Sequence, residues 1–115
     1  MNIERFEVSA RRSEMVLHDN TLYIGGQVAA NAQGDIEAQT REILGNLESL
    51  LLSVGSSLSR VLSVRILLAD RADYDGLNRI WDDFFPEGHA PTRACTLAEL
   101  INPDWRVEMI VVAGR

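Results

Sequence analysis

The chain has 115 residues, 46% of them hydrophobic, 24% charged and 6% aromatic, which fits one globular unit over residues 1–115 and excludes a disordered tail or two independent domains. Asp and Glu number 17 against 11 basic residues, a formal charge of -6, and no basic block reverses it locally, so nucleic acid bound through its phosphates is excluded as a first partner. The single cysteine, Cys95, cannot close an intrachain disulfide, and with His18 and His89 it is too little for a four-ligand zinc site. A zinc site of that kind is not expected, and a reducing cytoplasm fits best. No stretch approaches the length of a membrane span and the N-terminal residues carry no apolar leader-like run, so neither export nor a bilayer is expected.

Residues 3 to 8 and 15 to 27 read as short extended segments. Val16-Leu17 and Leu22-Tyr23-Ile24 flank Asp19-Asn20, a pair that tolerates the positive φ of a tight turn, so a hairpin is predicted there. From Ile36 the period changes. Ile36, Ile43, Leu44, Leu47, Leu50, Leu51 and Val54 recur at three- and four-residue steps, with Gly34-Asp35 as a start and Gly55 as a stop. Val61 to Leu68 is aliphatic and β-branched, a buried strand. Asp70 and Asp73 then form a cap pair ahead of Tyr74, Leu77, Ile80, Trp81 and Phe84, a second helix stopped by Pro86-Glu87-Gly88. Two more strands follow, Pro91 to Leu97 and Arg106 to Ala113, joined by a loop containing Asn102-Pro103-Asp104.

The resulting order, βββαβαββ, predicts an α+β sheet with both helices packed on one face. In the last strand Val107, Met109, Val111 and Ala113 point one way and Glu108, Ile110 and Val112 the other, so both faces are largely apolar. Two helices cannot cover both. The second face is therefore expected to bury itself against other subunits, most simply in a closed ring.

Glu108 is out of place on such a strand, because a carboxylate withdrawn from water needs a cation, hydrogen bonds or a retained proton. Pairing of the last two strands as an antiparallel hairpin puts Arg93 roughly opposite Glu108, with Cys95 two residues on, and the three are expected to line one pocket. The plainer readings are a cross-strand ion pair and a small buried thiol, which would need an activating cation to act as a nucleophile. His18 is expected in solvent beside the first turn, and His89 at the surface within reach of a pocket rim. Gly25-Gly26-Gln27 lacks the spacing and following helix of a phosphate-binding loop, so a bulge or close backbone approach is the expected use of the glycines. Trp81, Phe84 and Phe85 follow the helix stripe and are expected in the core.

Arg12-Ser13-Glu14, Leu22-Tyr23-Ile24-Gly25-Gly26-Gln27-Val28, Asn78 with Trp81 and Phe84-Phe85, Ala90-Pro91-Thr92-Arg93-Ala94-Cys95 and Val107-Glu108-Met109 together resemble the Rid family of reactive-intermediate deaminases, also called YjgF-type proteins. The resemblance spans nearly the whole chain. It implies a chorismate-mutase-like fold, a homotrimer with inward-facing sheets and clefts between subunits. It also implies hydrolysis of small 2-imino or enamino acids to 2-oxo acids and ammonia without a cofactor. By the same resemblance Arg93 holds the substrate carboxylate, Glu108 positions or activates water, and Cys95 and Asn78 line the cleft, which backbone at Gly25 and Gly26 closes. The characterised deaminases carry a tyrosine before the hairpin and a serine ahead of the Gly-Gln; here Arg12-Ser13-Glu14 and Gly25 stand there, a pattern more like a less characterised branch. Two rival readings are a non-enzymatic protein that binds a small carboxylate through the same arginine, and a ribonuclease or translation inhibitor. The second rival lacks the cationic approach path it would need at a charge of -6.

Overall fold

A computed structural model describes residues 2–115. Its elements are β1 (Ile3–Val8), β2 (Ser13–His18), β3 (Thr21–Gln27), α1 (Ile36–Ser53), β4 (Val61–Leu68), α2 (Tyr74–Phe84), β5 (Thr92–Leu97) and β6 (Val107–Gly114), with single 3-10 turns before β4 and α2. Local chemistry explains most boundaries. Asp19 takes a φ of 54° in the β2–β3 turn, a left-handed conformation that Asp reaches more readily than most residues. The Asp35 carboxylate accepts the Ala38 N–H at 2.8 Å and so caps α1, and Gly55, at φ 80°, lets the chain leave that helix. The expected cap pair before α2 divides its work. Asp70 caps the 3-10 turn through the Ala72 N–H at 2.9 Å, whereas Asp73 forms no side-chain cap and instead pairs with Arg106 at 3.0 Å.

The strands form one six-stranded sheet in the order β1-β2-β3-β6-β4-β5. This overturns the expected terminal hairpin. β6 lies antiparallel to both β3 and β4, while β5 runs parallel to β4 at the edge, with Arg93 beside Val64 and Cys95 beside Ile66. The nine-residue connection from 98 to 106 does not fold back on β5; it carries the chain past β4, and α2 serves as the crossover of the parallel β4–β5 pair.

Both helices lie on one face. Ile43, Leu44, Leu47 and Leu51 of α1 and Leu77, Ile80 and Trp81 of α2 are buried with Met15, Leu17, Leu22, Ile24, Val64, Ile66, Leu68, Val107, Met109, Val111 and Ala113 of the sheet. Phe85 joins this core and Phe84 packs against its margin. On the opposite face Glu108, Ile110 and Val112 are half-buried within the single chain and Tyr23 is exposed.

One buried polar residue ties the loops at one end of the sheet together. Gln39, in α1 and 1% exposed, donates from Nε2 to the carbonyls of Ala32, Gly34 and Asp104 at 3.2, 3.0 and 3.1 Å and accepts the Arg106 N–H on Oε1 at 2.9 Å. The amide thus joins the β3–α1 and β5–β6 connections, and only a side chain with both donor and acceptor can do so. Gln39→Met keeps the shape and leaves those backbone groups unpaired, so it is expected to cost about 2–4 kcal/mol in urea unfolding; a change within error would show that water replaces the amide freely.

Candidate functional site

Arg93 projects from edge strand β5 toward α2. Its Nη2 donates to Asn78 Oδ1 at 2.7 Å and to the Tyr74 hydroxyl at 3.1 Å. The guanidinium carbon stands 4.9 Å from the Trp81 ring centroid and 5.7 Å from that of Tyr74, close enough for cation–π attraction of about 1 kcal/mol. Tyr74, Asn78 and Trp81 occupy successive turns of one face of α2. Trp81 is in turn fixed by Phe85, their centroids 4.5 Å apart. The cation is therefore seated on the core indole of Trp81 beside the exposed ring of Tyr74 and held by neutral partners, and no carboxylate among the described residues pairs with it.

Cys95 lies two residues along β5 and packs against the margin of the core. Burial pushes its thiol above the ordinary value, against an opposing pull from the Arg93 guanidinium. The group is thus a neutral thiol at physiological pH, a wall of the site rather than an activated nucleophile.

The second half of the predicted site is elsewhere. Between Ile24 and Gln27 of β3 the register against β6 shifts by one residue, a bulge at Gly25-Gly26. Both expected uses of these glycines occur: the bulge, and a close approach in which a Cβ at Gly26 would collide with Glu108 Oε2. A Cβ at Gly25 would stand 3.0 Å from Arg12 Nη2, so Arg12 fills the space above that residue. Glu14 holds Arg12 by an ion pair at 3.0 Å, and its other oxygen accepts Gln27 Nε2 at 2.8 Å. Gln27 Nε2 also reaches the Gly25 carbonyl at 2.9 Å. Gly25, Gly26 and Glu108 thus share one polar patch with Arg12, whose guanidinium is compensated by Glu14.

Within one chain the structure does not bring Arg93 and Glu108 together. Val64, the β4 neighbour of Arg93, is buried beneath the helices, and Glu108 sits between the buried Val107 and Met109 with its side chain on the opposite face. Strand β4 also separates their strands. The expected single pocket is corrected to two half-sites: Arg93, Asn78 and Cys95 on the helix side, Glu108 with Gly25 and Gly26 on the open side. Tyr74 and Trp81 were not foreseen as partners of Arg93, although their spacing around Asn78 was readable. His89 is exposed and borders a separate cavity with Glu48, Leu58, Phe84 and Phe85. His18 is half-buried rather than free in solvent, its Nε2 3.7 Å from Asp19 Oδ2. No helix is long and apolar enough to cross a membrane among the described residues.

A twisted six-stranded sheet backed by two helices, with an arginine on its parallel edge strand and a glutamate over a glycine bulge, defines an α+β domain of YjgF type. Residues 2–114 match the family model described as Endoribonuclease L-PSP, and the chain belongs to that family. It is 40% identical over 114 residues to a RutC family protein of Haemophilus influenzae, covering 98% of each chain, and 35% identical over 101 residues to the 3-aminoacrylate deaminase RutC of Acinetobacter baylyi, covering 83% of this chain and 79% of that one. Among solved structures it superposes on an uncharacterized protein from Pseudomonas aeruginosa with a TM-score of 0.97 at 69% identity, covering 99% of both. It superposes on NMB1025, a member of the YjgF protein family from Neisseria meningitidis, with a TM-score of 0.95 at 34% identity, covering 100% of this chain and 96% of that one.

The rate at which iodoacetamide alkylates Cys95, followed by mass spectrometry across pH, should show a midpoint above that of a free thiol and a still higher one in Arg93→Ala, because that change removes the opposing pull. A midpoint below the free value would mean an activated thiolate instead.

Proposed function

We propose that the chain is a hydrolytic deaminase of small 2-imino or enamino acids, working without a cofactor in clefts between the subunits of a homotrimer. The observation that carries this reading is the state of Arg93: a guanidinium held rigidly by Asn78 and Tyr74 over Trp81, with no carboxylate of its own. Such a group is prepared for an external carboxylate, which it binds through two parallel charge-assisted hydrogen bonds. The deaminase-named relative supports the same class.

In the proposed cleft Arg93 of one subunit faces Glu108 of the next, which reconciles their places on opposite faces of a single sheet. The half-buried apolar residues Ile110 and Val112 beside Glu108 supply surface for that assembly. With the carboxylate fixed on Arg93, the C=N carbon is presented to a water held by Glu108. Glu108 takes a proton as the oxygen bonds to carbon. That proton passes to nitrogen, the remaining hydroxyl proton follows through the same carboxylate as the C=O bond forms and the C–N bond breaks, and ammonia and the 2-oxo acid leave. Imines hydrolyse unaided, so orientation of substrate and water supplies most of what is needed. Cys95 and Asn78 line the carboxylate side, and the bare backbone of Gly25 and Gly26 admits Glu108 to the other.

Formation of 2-oxo acid from enzymatically generated 2-iminopropanoate should fall about 100-fold in Arg93→Ala, with Arg93→Lys failing to restore it because an ammonium lacks the planar fork. Glu108→Gln should fall comparably, and mixing the two inactive variants should regenerate activity in about a quarter of the clefts of a randomly mixed trimer. No recovery on mixing would sink the cross-subunit site, equal rates for wild type and Arg93→Ala would sink the deaminase reading, and binding of pyruvate without turnover would make the protein a carboxylate receptor.

A further inference from the structure

Beside the Arg93 half-site lies a cavity of about 270 Å³ lined by Leu68, Arg71, Tyr74, Cys95, Thr96 and Leu97. It shares Tyr74 and Cys95 with the surroundings of Arg93, so a molecule held by Arg93 and extending past the Tyr74 ring enters it. Leu68 and Leu97 make part of its wall apolar. Arg71 brings a guanidinium to its wall. It opens the 3-10 turn Arg71–Asp73, and Tyr74 follows three residues later, a spacing that superposes side chains along one edge of such a turn. The turn is pinned by the Asp70 cap at 2.9 Å and by the Asp73 N–H on the Asp70 carbonyl at 3.0 Å.

The acids nearest in sequence do not neutralise Arg71. Asp70 is engaged by the Ala72 N–H, Asp73 is paired with Arg106 at 3.0 Å, and no carboxylate among the described residues, Asp75 included, lies within ion-pair distance of Arg71. The Cys95 thiol, kept neutral by burial, leaves the local positive charge intact. Arg71, a guanidinium without an acid partner, therefore lines this cavity, and a second, Arg93, stands next to it on the far side of the shared Tyr74, in a protein whose net charge of -6 would otherwise repel a dianion.

We infer that Arg71 is a specificity-determining residue that binds a second, distal carboxylate, so that the preferred substrates are short 2-imino dicarboxylic acids. The inference rests on the reading of Arg93 as the site of the first carboxylate and deepens it. The apolar walls take the methylene chain between the two anions, and the reaction is the hydrolysis already described, with a 2-oxo dicarboxylic acid and ammonia as products.

Calorimetric binding of two stable product-like probes, 2-oxoglutarate and 2-oxobutanoate, tests it. Wild type should bind 2-oxoglutarate more tightly, and Arg71→Met should lower the ratio of the two affinities about tenfold, with Arg71→Lys keeping part of the preference and added salt eroding it. With imino substrates the same change should appear in KM for the dicarboxylate more than in kcat. An unchanged ratio, or an equal loss for both probes, overturns the assignment to Arg71. Failure of wild type to bind either probe, or binding of both by Arg93→Ala as well as by wild type, overturns instead the reading of Arg93 on which it rests.

Discussion

The last strand holds the sheet together. β6 lies between β3 and β4, antiparallel to each, and without it the hairpin of β2 and β3 and the pair of β4 and β5 have no strand in common. Its inward residues Val107, Met109, Val111 and Ala113 are all buried, so the surface on which both helices pack is complete only when the final segment is in place. The same insertion makes β5 an edge strand. An arginine on an edge strand has protein on one side and open space on the other, a position from which it can meet a ligand.

The two arginines of the half-sites show how environment decides what a charge is for. Arg93 is bound to an amide, a phenol and an indole face, none of which carries charge, so its field is left to act on whatever enters. Arg12 is held by Glu14 above a glycine, which spends its charge inside the chain. The glycine bulge is the complementary device: Gly25 makes room for the guanidinium and Gly26 for the carboxylate.

Much of this organisation was written in local patterns. The three- and four-residue apolar steps of α1 and α2, the Asp19-Asn20 turn, Asp35 as a cap and Gly55 as an exit are each decided by neighbours in the chain, and each stands as its residues require. The misfit of Glu108 among aliphatic residues and the availability of Gly25 and Gly26 for a bulge were equally legible, because they concern one residue and its immediate surroundings. Tyr74, Asn78 and Trp81 also share a helix face by spacing alone, although nothing in that spacing named Arg93 as what they would hold.

Residue types and their periods therefore determined the elements, the one-sided placement of the helices and the identity of the chemical groups. Only the tertiary structure decided who meets whom. Backbone hydrogen bonds between strands are the same for every sequence, so β6 choosing β3 and β4 over β5 depends on how the whole apolar surface closes rather than on any local signal. That choice placed Arg93 and Glu108 on opposite faces of the sheet and set Arg71 beside Cys95, because a side chain's face and neighbours are fixed by pairing across space, not by distance along the chain.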